Sequence, residues 1–382
     1  MKLNKEDFWE MQKDWSRRKH LILTYYLHSA LPKLRKASPT GEVVVLDAFA
    51  GRGTYKDGNP ASPVLIGQMI DRMEEEWKDP VRLQVFNIEP DQETFEELEA
   101  STEKWSKTGQ VYNLKGKFQE KQTQLLKQIE GLPMVAFLDP FAPSHLLFKD
   151  MEPLIRRNAP TDILIVFHSQ NVMRVFEASH SDSRTQENTK ESNRKRLSEI
   201  LGGDQWQDLP PDSKDTVQSL LNIYLQNIRA TMSSRNRYAY ATEIYTRHEV
   251  GLKYHVIFVT RHEEGLKSMN DAFCKQREDI YKQTGGVGGL FADETTLPNE
   301  MNTEDRADFL LSQMSAVRNQ VPSKEWRRKE LMMESIKKSF GQFLEKEHRQ
   351  AVATLVQRKI LIHVNANESK RLNDDSLLKF AL

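Results

Sequence analysis

The feature that most constrains this chain is the run Val43-Val44-Val45-Leu46-Asp47-Ala48-Phe49-Ala50-Gly51-Arg52-Gly53. A continuous β-branched and apolar segment is the mark of a strand buried on both faces of a parallel sheet. It ends in an acid, and small residues with two glycines follow in the spacing Asp-x-x-x-Gly-x-Gly. Small residues let the backbone approach a ligand closely and adopt dihedrals other side chains resist. In open α/β sheets, ligands lie outside the carboxyl ends of the strands. A glycine turn between a strand and a helix is the context in which such a motif carries weight. The competing reading is a tight βα turn with no ligand. The dinucleotide fingerprint needs a third glycine, and Thr54-Tyr55-Lys56 does not supply it in register, which weakens a dinucleotide-dependent oxidoreductase.

The pattern then repeats. A helix is expected over 61–73, a strand over 82–88, a Glu-rich helix over 92–107 and a weaker strand over 110–114. A helix over 119–129, a strand over 134–138, a helix over 151–157 and a strand over 162–167 follow. Such alternation predicts a doubly wound, mostly parallel, seven-stranded α/β sheet. The strands 237–245 and 254–260, joined by a short link, read as a hairpin that runs one strand antiparallel. Residues 7–36 read as an opening helix with a break or kink at Pro32. Residues 179–195 are polar and read as a mobile loop or exposed helix, within a helical insertion about 170–232.

Two further acids stand at strand ends. Glu89, in Asn87-Ile88-Glu89-Pro90, can accept hydroxyls of a ribose or sit as a helix-start acid favoured by the dipole. Asp139, in Phe137-Leu138-Asp139-Pro140-Phe141-Ala142-Pro143, ends the strand expected beside the glycine turn. Its carboxylate and the Pro140 carbonyl can accept hydrogen bonds from an amino group, and Phe141 can stack on a ring. The alternative is an ordinary Pro-rich turn. Lys19 and His20 are candidates to touch a carboxylate or a phosphate, or lie on a solvated helix face. His168 can line the same edge of the sheet.

Together, Leu46-Asp47-Ala48-Phe49-Ala50-Gly51-Arg52-Gly53, Asn87-Ile88-Glu89 and Leu138-Asp139-Pro140-Phe141 resemble the three-Cys-motif partner (TcmP) family. This is a bacterial family of methyltransferase-like proteins, named for a neighbouring protein with three cysteines. Lys19-His20-Leu21-Ile22-Leu23 with Tyr25-Tyr26 looks like its opening helix, and the resemblance spans about residues 8–280. It implies a class I methyltransferase fold, whose sheet also ends in a hairpin. The implied cofactor is S-adenosylmethionine, with Asp47, Ala48, Phe49, Ala50, Gly51, Gly53, Glu89 and Pro90 around it. It also implies catalysis at Asp139, Pro140 and Phe141, with Lys19 and His20 toward the substrate. Related amino-methyltransferases grip an adenine or cytosine amino group with Asp-Pro-Pro-Tyr/Phe, shortened here to Asp-Pro-Phe. The implied partners are RNA or DNA and a three-Cys-motif protein. A module that binds nucleic acid or protein without reaction is the alternative.

The domains expected are 1–284 for the methyltransferase-like part, 285–323 for a linker opened by the glycines of 285–289, and 324–382 for a winged-helix-like module. The last reads as helices 326–339 and 343–358, a strand 360–364 and a second edge strand, with Lys346, Arg349 and Arg358 toward phosphate. A helical cap is the competing reading.

Charge and composition bound the rest. Lys+Arg and Asp+Glu balance at 55 each, which excludes a uniformly basic coat. Residues 1–36 carry 9 basic against 4 acidic side chains and residues 324–359 carry 10 against 5, whereas residues 60–103 carry 3 against 12. Basic ends around an acidic flank leave room for a local face toward an anion, or for solvated helix faces. One cysteine, Cys274, excludes a disulfide framework and a cysteine metal site. The histidines have no metal-ligand spacing, so no metal is expected. There is no P-loop and no Gly-x-Ser-x-Gly elbow. The opening residues lack a secretory signal and no apolar run reaches membrane-span length. The expectation is a cytoplasmic protein away from membranes.

Overall fold

In the computed structural model, β1 (Val43–Asp47) is buried along its whole length. The structure describes residues 10–77, 82–180, 187–210, 215–233, 236–246, 251–283, 304–309, 311–312, 325–365 and 372–381. The glycines of 285–289 lie outside them. The chain divides into two compact units, Met1–Gly265 and Leu266–Leu382. That division precedes the boundary expected at 284, so most of the helix over 263–283 belongs with the second unit.

In the first unit, α1 (Asp14–Ala37) precedes β1 and runs through Pro32 rather than stopping there. Then come α2 (Ser62–Trp77), β2 (Leu83–Glu89), α3 (Gln92–Lys107), β3 (Val111–Lys115), α4 (Phe118–Gln128), β4 (Met134–Leu138), α5 (Phe148–Ile155) and β5 (Thr161–Phe167). The insertion supplies α6 (Ser169–His180), α7 (Glu187–Leu201) and α8 (Thr216–Thr231) before β6 (Tyr238–Tyr245) and β7 (Leu252–Thr260). The polar stretch 187–195 is therefore helix: Leu197, Ile200 and Leu201 bury one end of α7, and the rest of its polar face meets water. Residues 181–186 lie outside the described set.

The seven strands lie in the order β3-β2-β1-β4-β5-β7-β6. Neighbours among β1 to β5 are parallel, and β7 runs antiparallel to both β5 and β6. The order reverses between β1 and β4, so the crevice outside their carboxyl ends is the switch point at which open α/β sheets bind ligands. β1 packs its alternate residues Val44 and Leu46 into one core with Phe86, Ile88, Ala136 and Leu138 of its neighbours.

α1 is fastened to the far side of the sheet by a buried carboxylate. Tyr26 donates to Asp162 Oδ2 at 2.5 Å, and Thr260 donates to Asp162 Oδ1. Burial pushes the Asp162 carboxyl up, against the two hydroxyl donors that stabilise its charge. Its two oxygens are thus shared between a helix and a strand distant in sequence.

The second unit holds β8 (Trp326–Arg327), α10 (Arg328–Lys338), α11 (Glu345–Gln357), β9 (Leu361–His363) and β10 (Leu377–Phe380), after α9 (Glu263–Gln283). Trp326 was expected to open a helix; it lies instead in a strand, because β8 pairs antiparallel with β10, which also pairs with β9. Arg349 is paired with Asp374 at 2.8 Å and Glu345 at 3.2 Å. Arg358 is paired with Glu304 and Asp308. Both arginines expected to meet phosphate already have carboxylate partners.

Tyr26→Phe is expected to cost about 1.5–3 kcal/mol, the range for a hydrogen bond to a charged group. Urea unfolding followed by fluorescence checks it, and a loss below about 0.5 kcal/mol would mean the network does not secure α1.

Candidate active site at the β1/β4 switch point

The glycine turn is built by hydrogen bonds from its own strand neighbours. Ala50 N–H donates to the Ile88 carbonyl at 3.0 Å and Ala48 N–H to the Phe137 carbonyl at 3.1 Å, which ties the turn to both β2 and β4. Gly51 and Gly53 take φ of +68° and +84°, the left-handed region that favours glycine. A Cβ on Gly53 would lie 2.0 Å from Ser101 Oγ, so α3 leaves no room for a side chain there.

Glu89 braces this turn. Its Oε2 accepts Gly51 N–H at 3.1 Å and its Oε1 accepts Asp91 N–H at 2.9 Å. Asp91 itself caps α3, taking Thr94 N–H at 3.1 Å. Glu89 is therefore not the helix cap, which is Asp91. Pro90 beside it is exposed.

Asp47, at the end of β1, is fully buried. Oδ1 accepts Phe49 N–H at 3.3 Å, while Oδ2 has no hydrogen-bond partner among the described residues. Burial pushes the carboxyl up to about 7, opposed by the Ser62 hydroxyl and the Phe49 N–H and reinforced by the charge of Asp139. A buried acceptor with no donor costs free energy, so this oxygen is a standing site for a ligand's donor or cation.

Asp139 is the second carboxylate of the crevice, and the structure joins it to a residue far away in sequence. The Lys19 ammonium donates to Asp139 Oδ2, with side-chain exposures of 6% and 20%. Burial by itself would lower the Lys19 ammonium, yet Asp139, Tyr55 and Asp47 together carry it above its ordinary value. Lys19 and His20 thus occupy neither a solvated face nor an open phosphate-binding surface: both are buried. They turn inward because α1 crosses the carboxyl ends of the strands, where an acid needs a counter-ion. His20 contacts Gln12 at 3.1 Å and faces the Tyr55 ring at 6.2 Å. Burial and then the Lys19 charge push its imidazole well below the ordinary range.

The Pro140 carbonyl, read as an acceptor for an amino group, already accepts from His168 Nε2 at 2.8 Å. The sequence left His168 without a partner; it is a lock on this turn, and burial lowers its imidazole. Phe141 is 59% exposed and stacks loosely on His145 at 6.5 Å. Among the described residues the Oδ1 atom of Asp139 has no hydrogen-bond partner. The crevice therefore presents, among the described residues, two unclaimed carboxylate oxygens, one deep and one at its mouth, beside an exposed aromatic ring. Tyr55, Tyr254 and Lys253 also line this edge; no motif marks them, since α1 and the reversed strand β7 bring them there. Among the described residues no group of His, Cys, Asp and Glu could hold a metal ion, and no helix is long and apolar enough to cross a membrane.

No family model matches the chain, and no curated protein matches it. Among solved structures it is similar to the methyltransferase domain of bacterial CtHen1-C, at 10% identity and a TM-score of 0.32, over 63% of this chain and 98% of that one. It is also similar to the O-methyltransferase TomG from Streptomyces achromogenes in complex with SAM, at 12% identity and a TM-score of 0.31, over 67% and 94%. A third is the O-methyltransferase from Bacillus cereus in complex with SAH, at 13% identity and a TM-score of 0.29, over 65% and 92%. The strand order, with β7 alone reversed, is that of the Rossmann-like methyltransferase fold.

Two expectations follow. Between about pH 4 and 7 the folded chain holds the Asp47 proton more tightly than the unfolded chain, so stability falls as pH rises through that window. Asp47→Asn is expected to remove that fall, worth up to about 4 kcal/mol for a shift of about three pK units. Urea midpoints of both proteins at about pH 5 and pH 8 test it, and parallel pH dependences would refute it. Lys19→Met should cost about 3 kcal/mol by stranding the Asp139 charge, and Lys19→Met with Asp139→Leu should recover most of it. Equal losses in the single and double variants, read by thermal unfolding, would count against the pair.

Proposed function

We propose that this protein transfers a methyl group from S-adenosylmethionine to an amino group of a nucleic-acid base. The observation that carries the reading is the buried Asp47 Oδ2, a carboxylate oxygen with no donor directly below a glycine turn at the switch point. The residues present fit the cofactor. Asp47 would take its cationic end, the backbone from Ala48 through Gly53 would lie along it, and the Glu89 carboxylate, at the end of β2, would take ribose hydroxyls. When bound, it supplies an electrophilic methyl group.

The rest of the chemistry belongs to the protein's own groups. Asp139 Oδ1 would accept a hydrogen bond from the acceptor's amino group and stabilise positive charge developing on it. Lys19 gives that carboxylate a counter-ion and fixes its direction. His168 holds the Pro140 carbonyl, and with it the angle of the turn that presents Phe141. Phe141 offers an exposed face on which a base can stack, and a base in a duplex would have to flip out to reach it. Catalysis here is alignment of two reactants.

The TcmP resemblance, a cytoplasmic location, a bacterial setting and a three-Cys partner protein belong to the same proposal. So does a winged-helix role for the second unit, where α10, α11 and a three-stranded antiparallel sheet are compatible with it. One observation favours a second reading, a binding module without reaction. Asp139 Oδ2 and the Pro140 carbonyl, the groups suited to grip an acceptor, are already engaged by Lys19 and His168.

Titration calorimetry with S-adenosylmethionine and a labelled-methyl assay on total RNA, DNA and protein test the proposal. The wild-type protein should bind the cofactor, Asp47→Ala and Gly51→Val should abolish binding, and Glu89→Gln should weaken it by about 1.5–3 kcal/mol. Near-ultraviolet circular dichroism confirms that each variant is folded. Absence of binding to the wild-type protein would end the reading. Binding without label transfer to any polymer would favour the module without reaction.

A further inference from the structure

His168 is the residue next after β5, and β5 lies beside β4. Its ring therefore stands at the carboxyl ends of the parallel strands, against the turn that carries Asp139. Nε2 meets the Pro140 carbonyl at 2.8 Å. A carbonyl oxygen can only accept, so Nε2 carries the hydrogen, and in the neutral ring Nδ1 is then a bare lone pair. Among the described residues Nδ1 takes no hydrogen bond, and it is not one of the enclosed polar atoms that lack a partner. The lone pair is thus open to water or to a ligand. Only one carbon separates the two ring nitrogens, so Nδ1 stays within a few ångströms of the Pro140 carbonyl, on the turn assigned to the acceptor. By contrast, Nδ1 of His20 on α1 is already paired with the Gln12 amide at 3.1 Å, and Nδ1 of His255 on β7 with the Ser169 hydroxyl.

The groups packed around the ring hold it without using that nitrogen. Tyr254 of β7 meets it edge-on at 5.9 Å and gives its hydroxyl hydrogen to the Trp15 carbonyl at 2.5 Å. A one-residue irregularity lies here: Ile244 is opposite Tyr254 and Tyr245 opposite Leu252, so Lys253 has no partner on β6. The Lys253 ammonium lies 4.6 Å from the centre of the Trp15 ring. The charges that reach His168 are Asp139 on the β4 turn, Lys19 on α1 and Lys253 on β7. Burial is the largest influence and lowers the imidazole; Asp139 and the Pro140 carbonyl raise it, and the two lysines lower it. The outcome is a ring that is neutral at neutral pH, the state in which an imidazole accepts a proton.

Methyl transfer to an amino group leaves a proton to dispose of. The nitrogen lone pair forms the new bond to the methyl carbon, the methyl–sulfur bond breaks with its electron pair left on sulfur, and the nitrogen becomes positive and acidic. Asp139 Oδ1 can accept a hydrogen bond from that nitrogen, but an imidazole is ordinarily a stronger base than a carboxylate. We propose that His168 is the general base of the methyl transfer, with Nε2 held on the Pro140 carbonyl and Nδ1 taking the proton that the acceptor's amino group gives up. This rests on the methyl-transfer reading above and deepens it. The proton then passes from Nδ1 to water, which restores the neutral ring. While it stays, the charge of Asp139 stabilises the imidazolium. Lock and base are two ends of one ring: the bond that fixes the turn also sets the tautomer that leaves the base free.

His168→Gln separates the two roles, because a glutamine amide can still donate to the Pro140 carbonyl but has no basic nitrogen. Single-turnover transfer of labelled methyl to total RNA and total DNA is followed from about pH 5 to about pH 9 for the full-length wild-type protein, His168→Gln and His168→Ala. The wild-type rate should fall on the acid side as Nδ1 takes a proton, at a pH below the ordinary imidazole value of about 6.5. His168→Gln should be about 100-fold slower at neutral pH and should lose that acid limb. Added imidazole should restore part of the rate to His168→Ala. Calorimetry with S-adenosylmethionine should give the same affinity in all three proteins. Nitrogen NMR of the histidine-labelled protein, with His168→Gln to assign the signal, should show a hydrogen on Nε2 and none on Nδ1 at neutral pH. A glutamine variant with the wild-type rate and acid limb, or a neutral ring with its hydrogen on Nδ1, overturns the base and leaves His168 as the lock alone. Absence of label transfer by the wild-type protein ends the methyl-transfer reading itself, and the base with it.

Discussion

Two central strands that end in carboxylates set the terms for everything around the switch point. β1 and β4 are buried on both faces, so Asp47 and Asp139 arrive at the sheet edge with most of their hydration stripped away. A carboxylate in that position must find donors, take a counter-ion or hold its proton. The protein uses a different answer for each. Asp47 is fully buried and takes two local donors, so it is driven toward holding a proton. Asp139, nearer the mouth, takes the Lys19 ammonium. Each keeps one oxygen unclaimed.

That need explains the course of α1. A helix that merely covered the sheet would present apolar residues along one stripe, and α1 does so with Ile22, Leu23, Tyr26, Leu27 and Leu31. Its first turns do something else: they cross the strand ends and deliver Lys19 and the Trp15 carbonyl to the site. The buried network of Tyr26, Asp162 and Thr260 fixes the helix further along. The lever that carries Lys19 is thus anchored in the core, and the ammonium is placed without relying on a flexible surface side chain.

The second unit manages charge in another way. Its basic residues are numerous, but acidic neighbours on α11, over 304–308 and at Asp374 and Asp375 take up Arg349, Arg358, Arg327 and Lys329. Lys346 on α11 stays exposed. A formal net charge of zero for the chain therefore hides an uneven distribution, with basic side chains of the second unit drawn into local pairs.

The sequence by itself determined the sheet. Alternating apolar runs and helical stretches are local signals, and the βα rhythm, the reversed strand and the glycine turn after Asp47 could all be read from them. Asp47, Glu89 and Asp139 were legible as site residues because each is an acid at a strand's carboxyl end. Which partner each acid meets depends on chain segments remote in sequence, and only the tertiary structure decided that. Lys19 reaches Asp139 across 120 positions, His168 reaches Pro140 across 28, and Lys253 reaches Trp15 through a one-residue irregularity in β7. Trp326 entered a strand for the same reason, since its partner on β10 lies far along the chain. Periodicity reports how a segment buries its own face; it carries no information about which distant charge or edge will be waiting there.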